Sequence, residues 1–170
     1  MAQSEIERLL ALIDEAYAGP AWHGPSLRFA LRGVTPEQAA WRAASGRHNI
    51  WELTVHAAYW KYAVRRRLLG GKRGGFAEAG NNWFERGDAG AGTIVTADAK
   101  TWRRDLAQLA RAHRELRQTV AGLRPSQLDR PAAGSRQTPR HMIAGTALHD
   151  VYHAGQIQLL KRLVQDVQSA

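Results

Sequence analysis

The sequence predicts an all-α protein: an antiparallel four-helix bundle with a long Gly-rich connection between the second and third main helices. Three observations carry this. Apolar residues recur at steps of three and four over four separate stretches. Each stretch opens on a residue type that caps helices, at Ser4, Asn49, Thr96 and Thr138. No segment alternates apolar and polar residues as a half-buried strand would. At 170 residues the chain has the length of one ordinary domain, roughly 100–200 residues, so residues 1–170 read as a single unit.

The first helix spans about Glu5 to Ala18, with Ile6, Leu9, Leu10, Ile13 and Tyr17 on one face and Gly19-Pro20 as its stop. In the connector that follows, Thr35-Pro36-Glu37-Gln38 reads as a short helix start, an N-cap ahead of a proline at the first helical position. Asn49 with Glu52 three residues on has capping-box spacing. It opens a second main helix whose stripe is Ile50, Leu53, His56, Trp60 and Val64, and Gly70-Gly71 after Leu69 supplies a left-handed exit. Eight of the 16 glycines fall between Gly70 and Gly92, interrupted by Phe76, Trp83 and Phe84. That stretch is too glycine-rich for regular structure and too aromatic for a plain linker, so it reads as a long loop packed over one end of the bundle. The third helix opens at Thr96 and ends near Gly122, with Trp102, Leu106, Leu109, Ala110, Leu116, Val120 and Leu123 inward. Thr138-Pro139 opens the last helix, which runs to about Gln168.

Composition narrows the function. The chain has no cysteine, which excludes disulfides, thiolate metal sites and a cysteine nucleophile, and leaves any metal to His, Asp or Glu. No leader pattern and no membrane-length apolar run is present, so a cytoplasmic location with no membrane contact is expected. Lys plus Arg number 24 against 15 Asp plus Glu, a net charge of +9. The basic residues are mostly Arg, with Lys only at positions 61, 72, 100 and 161. Arg65-Arg66-Arg67 lies where cations complement a helix C-terminus, and Arg103, Arg104, Arg111, Arg114 and Arg117 read as a solvated face. Nucleic-acid binding through this surface is therefore the third-ranked reading, with no recognised nucleic-acid motif behind it.

Histidines stand where apolar residues belong. On the last helix the seam reads Met142, Thr146, His149, His153, Ile157, Leu160, Val164 and Val167, and the four-residue separation of His149 and His153 puts both imidazoles on one face. His56 sits in the middle of the second helix's stripe. Three imidazoles turned inward are costly unless satisfied, since an unpaired buried polar group costs about 1–3 kcal/mol, and one divalent ion accepts all three lone pairs. A zinc-protease motif is excluded because Asp150, off the seam, stands where that motif has Glu. His23, His48, His113 (on a solvated face) and His141 (two turns from His149) read as outside the site. Tyr59, Trp60 and Gln156 are candidates to flank it.

Two blocks, Ser45-Gly-Arg-His-Asn-Ile-Trp-Glu-Leu-Thr-Val-His56-Ala-Ala-Tyr-Trp-Lys-Tyr62 and Thr138-Pro-Arg-His-Met-Ile-Ala-Gly-Thr-Ala-Leu-His149-Asp-Val-Tyr-His153-Ala-Gly-Gln-Ile157, resemble the DinB-like superfamily. That superfamily comprises damage-inducible and related bacterial proteins and includes thiol-dependent S-transferases and maleylpyruvate-isomerase-like enzymes. The resemblance implies a divalent metal held by His56, His149 and His153, with zinc or nickel ahead of iron, manganese or copper, and it implies a homodimer. The Gly70–Gly92 segment matches no part of the pattern. Three neutral ligands leave an open coordination position, as in catalytic sites. The leading expectation is thus a metal-dependent enzyme, a thiol S-transferase or hydrolase-like activity in which a low-molecular-weight thiol serves as cosubstrate. The alternative is a non-catalytic, metal-stabilised bundle acting in stress response through binding or dimerisation. No catalytic residue and no organic cofactor site is legible.

Overall fold

In a computed structural model, residues 4–72, 74–78, 80, 82–87, 90–131 and 135–169 are described. Positions 73, 79, 81, 88 and 89 of the glycine-rich segment, and 132–134 of the connector before the last helix, lie outside them. The described residues are all-helical: α1 (Glu5–Tyr17), α2 (Leu27–Ala30), α3 (Pro36–Ala40), α4 (Ile50–Leu68), α5 (Ala99–Ala121) and α6 (Pro139–Ser169), with a single 3-10 turn at Pro125–Gln127. No helix among them is long and apolar enough to cross a membrane.

Capping chemistry sets the starts. Ser4, Thr35 and Asn49 each accept from the backbone N–H of the residue three positions on, and Glu7, Gln38 and Glu52 reach back to close the box. The start of α5 falls two residues after the expected Thr96. Asp98 is the cap, its carboxylate accepting from Lys100 N at 2.9 Å and from the Thr101 hydroxyl at 2.6 Å, and a carboxylate also complements the positive end of the helix dipole. Gly70 follows α4 in the left-handed region, φ 68°, as its exit requires.

Helix α4 packs on α5 and α6, α1 packs on α6 and α5, α2 lies on α6 and α3 on α4. The first half of α4, from Ile50 to Ala58, is buried on every side, which marks it as the central helix. Apolar packing divides into two clusters. One gathers Ile50, Trp51, Leu53 and Val55 with Trp102, Leu109, Ile157 and the loop residue Phe84. The other gathers Ile6, Leu9 and Ile13 with Val64, Leu116, Val120, Met142 and Ile143.

Between the clusters runs a polar layer that the sequence conceals. Lys61, one of the four lysines in the basic excess, is fully buried and bonds Asp150, itself 1% exposed. Asp150 is therefore on the seam of α6, one step from the position assigned to it. Burial pushes its carboxyl up, against the pull of Lys61. His113 is likewise not on a solvated face: it is 6% exposed, stacks on Tyr17 at 3.9 Å, and bonds Asp14 on α1 at 3.2 Å. Periodicity hides such residues because long cationic side chains and imidazoles occupy core positions only when a specific partner waits there.

At the start of α4, Asn49 is fully buried and donates to the carbonyls of Ala40 (3.2 Å) and Arg86 (2.6 Å), so one amide joins α3, α4 and the glycine-rich segment. Gly87 completes the junction, since at its φ of 73° a Cβ would meet the Ala40 Cβ at 2.8 Å. An Asn49→Ala protein loses the cap and orphans both carbonyls, so its urea midpoint should fall by the equivalent of about 2–4 kcal/mol. Lys61→Met alone should cost about 3–5 kcal/mol by leaving the Asp150 charge uncompensated, whereas Lys61→Met/Asp150→Val should recover most of that loss in the same denaturation.

Candidate metal centre

Helices α4 and α6 bring three imidazoles to one point. Nε2 of His149 lies 3.0 Å from Nε2 of His56 and 3.1 Å from Nε2 of His153. One ligand atom from each of these residues falls within a sphere where all are less than 4.8 Å apart. His56 and His153 are buried, at 5% and 3% exposure, and His149 is half-buried. The ring centroids of His149 and His153 are 4.3 Å apart and nearly perpendicular, the consequence of one helical turn between them.

The other ring nitrogens fix the tautomers. Nδ1–H of His56 donates to the backbone carbonyl of Asn82 at 2.7 Å, and Nδ1–H of His153 donates to Gln156 Oε1 at 2.6 Å. Both rings therefore turn a bare Nε2 lone pair toward His149. His149 has one proton to share in its neutral form. Placed on Nε2 it satisfies one of the two lone pairs facing it, and placed on Nδ1 it satisfies neither. Its buried Nδ1 has no partner among the described residues. The cluster is thus underdonated by its own hydrogen bonds, and a cation is the group that resolves it. Bonds of about 2.0–2.1 Å to a tetrahedral zinc place imidazole nitrogens about 3.3 Å apart, close to the observed spacing, so the donor set fits a divalent ion.

The surroundings hold these rings neutral. Burial pushes His56 down to about 4 and His149 down to about 3, and it lowers His153 as well. For His149 the neighbouring imidazoles His153 and His56 add repulsion against any proton.

The sequence leaves two contributors to this site unnoticed, Asn82 and Trp83, both in the glycine-rich segment. Asn82 adopts a left-handed backbone, φ 74°, uncommon for a residue other than glycine. That conformation lets its carbonyl meet His56 while its side-chain Oδ1 accepts from Trp60 Nε1 at 2.8 Å. Trp83 lies parallel to the His56 ring with centroids 3.8 Å apart. The aromatic content of the segment was the available signal. Of the flanking candidates, Gln156 bonds His153 and Trp60 acts through Asn82, whereas Tyr59 packs among Phe76 and Phe84. His141 lines a cavity of about 220 Å³ with Trp60 and His149 but is outside the cluster, and His23 is exposed. His153 and Gln156 line another cavity, of about 540 Å³, walled by Leu53, Trp83, Leu160 and Leu163.

The lowered imidazole pKa values make stability pH-dependent with a definite sign. The unfolded chain binds protons near pH 6.5 while the folded rings do not, so the unfolded state gains as pH falls. For the metal-free protein, unfolding free energy should be flat above about pH 6.5 and decline from there toward the region of pH 4, where His56 begins to charge in the folded state. Chemical denaturation across that window checks it, and a His149→Phe variant should show a shallower decline.

No curated protein and no solved structure matches this chain. A family model for the DinB superfamily matches residues 22–157, a span that contains α4, the glycine-rich segment and all three clustered histidines. With most of its length covered by that match, the chain belongs to the DinB superfamily.

Proposed function

We propose that this protein is a metal-dependent enzyme that uses His56, His149 and His153 as ligands of one divalent ion, zinc or nickel first, to activate a small thiol for S-transfer or water for hydrolysis. The observation that carries this reading is the approach of the His56 and His153 Nε2 atoms to within 3.0 and 3.1 Å of His149 Nε2, with two tautomers already fixed as lone-pair donors. When bound, the ion supplies Lewis-acid activation of a thiol or water at neutral pH. The chain's own residues do the rest. Asn82 and Gln156 orient the imidazoles, burial keeps them unprotonated, and Leu53, Trp83, Leu160 and Leu163 give the larger cavity an apolar wall. With no cysteine in the sequence, the thiol is a cosubstrate of low molecular weight.

This reading takes residues 1–170 as one domain and α1, α4, α5 and α6 as an antiparallel bundle, in keeping with their pairwise packing. It also takes the active form as a homodimer. Leu148, Tyr152, Leu159, Leu163 and Val167 are exposed apolar residues along α6, between 39% and 67% accessible, and such a stripe on a helix needs a cover.

Metal analysis of protein purified without chelators or metal resins tests the proposal. Near-stoichiometric divalent metal is expected in the wild type and its loss in a His149→Ala/His153→Ala variant; wild-type protein without near-stoichiometric metal would overturn it. Azide should perturb the visible spectrum of the cobalt-substituted protein, and an unchanged spectrum would point to a closed structural site.

A further inference from the structure

The larger cavity beside the three histidines has a second imidazole in its wall. His48, in the loop before α4, lines it together with His153, Gln156 and Trp83. Its Nδ1 lies 2.9 Å from Glu52 Oε2. Glu52 is 4% exposed, while the His48 side chain keeps 42% of its surface, so the carboxylate sits behind the ring and the ring faces the open space.

The ionisation of that carboxylate decides the tautomer. Burial pushes Glu52 up, but hydrogen bonds from Arg42 and His48 outweigh it and hold the carboxyl below its usual range. Arg42 binds both oxygens, at 2.6 and 3.1 Å, and the backbone N–H groups of Arg86 and Asn49 approach at 3.3 and 3.4 Å. An ionised Glu52 accepts only, so His48 donates through Nδ1–H and its Nε2 is left as a base. Trp83 fixes the ring from the side, parallel to it with centroids 3.5 Å apart, and the same indole stacks on His56 at 3.8 Å. Glu52 has no structural need of His48, because Arg42, Asn49 and Arg86 already satisfy it. His48 Nε2 makes no hydrogen bond among those found for the described residues. A carboxylate that orients an imidazole, with the distal nitrogen free in a cavity, is the arrangement of a general base and its orienting partner.

We propose that His48, positioned by Glu52, is the general base that deprotonates the nucleophile in the cavity beside the His56, His149 and His153 cluster. This role rests on the function proposed above. In the step itself the S–H bond of the thiol breaks and its electron pair stays on sulfur. The proton passes to His48 Nε2, and the resulting imidazolium keeps its Nδ1–H bond to Glu52. Water in place of the thiol gives the same balance with O–H. Arg47, in the same wall, adds a positive charge to the cavity, which favours the anion formed.

The test uses the full chain in two arms. In the zinc-loaded protein, long-range nitrogen–proton NMR correlations should report His48 as the Nδ1–H tautomer. A proton on Nε2 would overturn the role of His48 while leaving the metal reading intact. In the cobalt-loaded protein, stopped-flow mixing with 2-mercaptoethanol follows the thiolate-to-cobalt absorption. His48→Gln, which can still donate to Glu52, should slow its appearance about 100-fold with cobalt content and final absorbance unchanged. Equal rates would overturn the proposal. A variant that loses cobalt or absorbance amplitude would reveal a structural role and overturn it as well. Absence of the thiolate absorption in cobalt-loaded wild type would overturn the thiol reading of the site and this role of His48 with it.

Discussion

The buried carboxylate of Glu52 is the point on which the geometry of the site depends. It closes the cap of α4 through Asn49, receives both Nη atoms of Arg42, accepts from the backbone of Arg86, and holds His48. Each bond is charge-assisted and sheltered from water, so each is stronger than its surface counterpart. Through Arg86 the network continues to Asp105 on α5, where Trp51 also donates at 2.8 Å. A glycine-rich segment would otherwise pay a large conformational entropy to order. Tying Arg86 to α4 and α5 brings Trp83 and Asn82, three and four residues earlier, against His56. Phe84 anchors the intervening backbone in the core, at 4% exposure.

A second constraint sets the register of α4 against α6. The Lys61–Asp150 pair and the His56–His149 approach join the same two helices, and Lys61 lies five residues after His56 while Asp150 lies directly after His149. Sliding one helix by a turn would separate the imidazoles and strand two buried charges together. Apolar side chains alone tolerate such slippage much better, since leucine, isoleucine and valine exchange neighbours at small cost. The polar layer between the two apolar clusters thus opposes such slippage, the registry role best attested for buried polar groups in helical proteins. It explains why a lysine and an aspartate occupy the centre of a protein whose other charges lie mainly outside.

The helical class, the four long helices and the three clustered histidines were legible because each rests on local or periodic signals. Capping boxes report on four consecutive residues, and the His149–His153 spacing is fixed by helix geometry. Placement of His56 beside them needed only its position in a stripe. The misplacements share a different cause. Lys61, Asp150 and His113 are buried by partners on other helices, and no single-helix pattern encodes a partner. The short α2 has only one turn, too little for periodicity to register. Asn82, Trp83 and His48 lie in loops, where position follows from tertiary bonds such as Asn49 to Arg86. The segment that matched no motif is therefore the one that orients a candidate ligand.

The opening composition acquires a sharper meaning at this site. A ligand set of three neutral imidazoles returns no charge to a divalent ion, and the nearest buried carboxylates are already committed, Asp150 to Lys61 and Glu52 to Arg42. The cavity beside His153 adds Arg47 to its wall, and the chain as a whole carries +9. With a divalent ion bound there, the local field would favour an anion at the position facing the cavity over a neutral ligand. A thiol or water would meet that demand by losing a proton, and the group able to receive the proton within the same wall is an imidazole with a buried carboxylate behind it. Surface arginines contribute the background field, but the committed carboxylates decide its sign at the site.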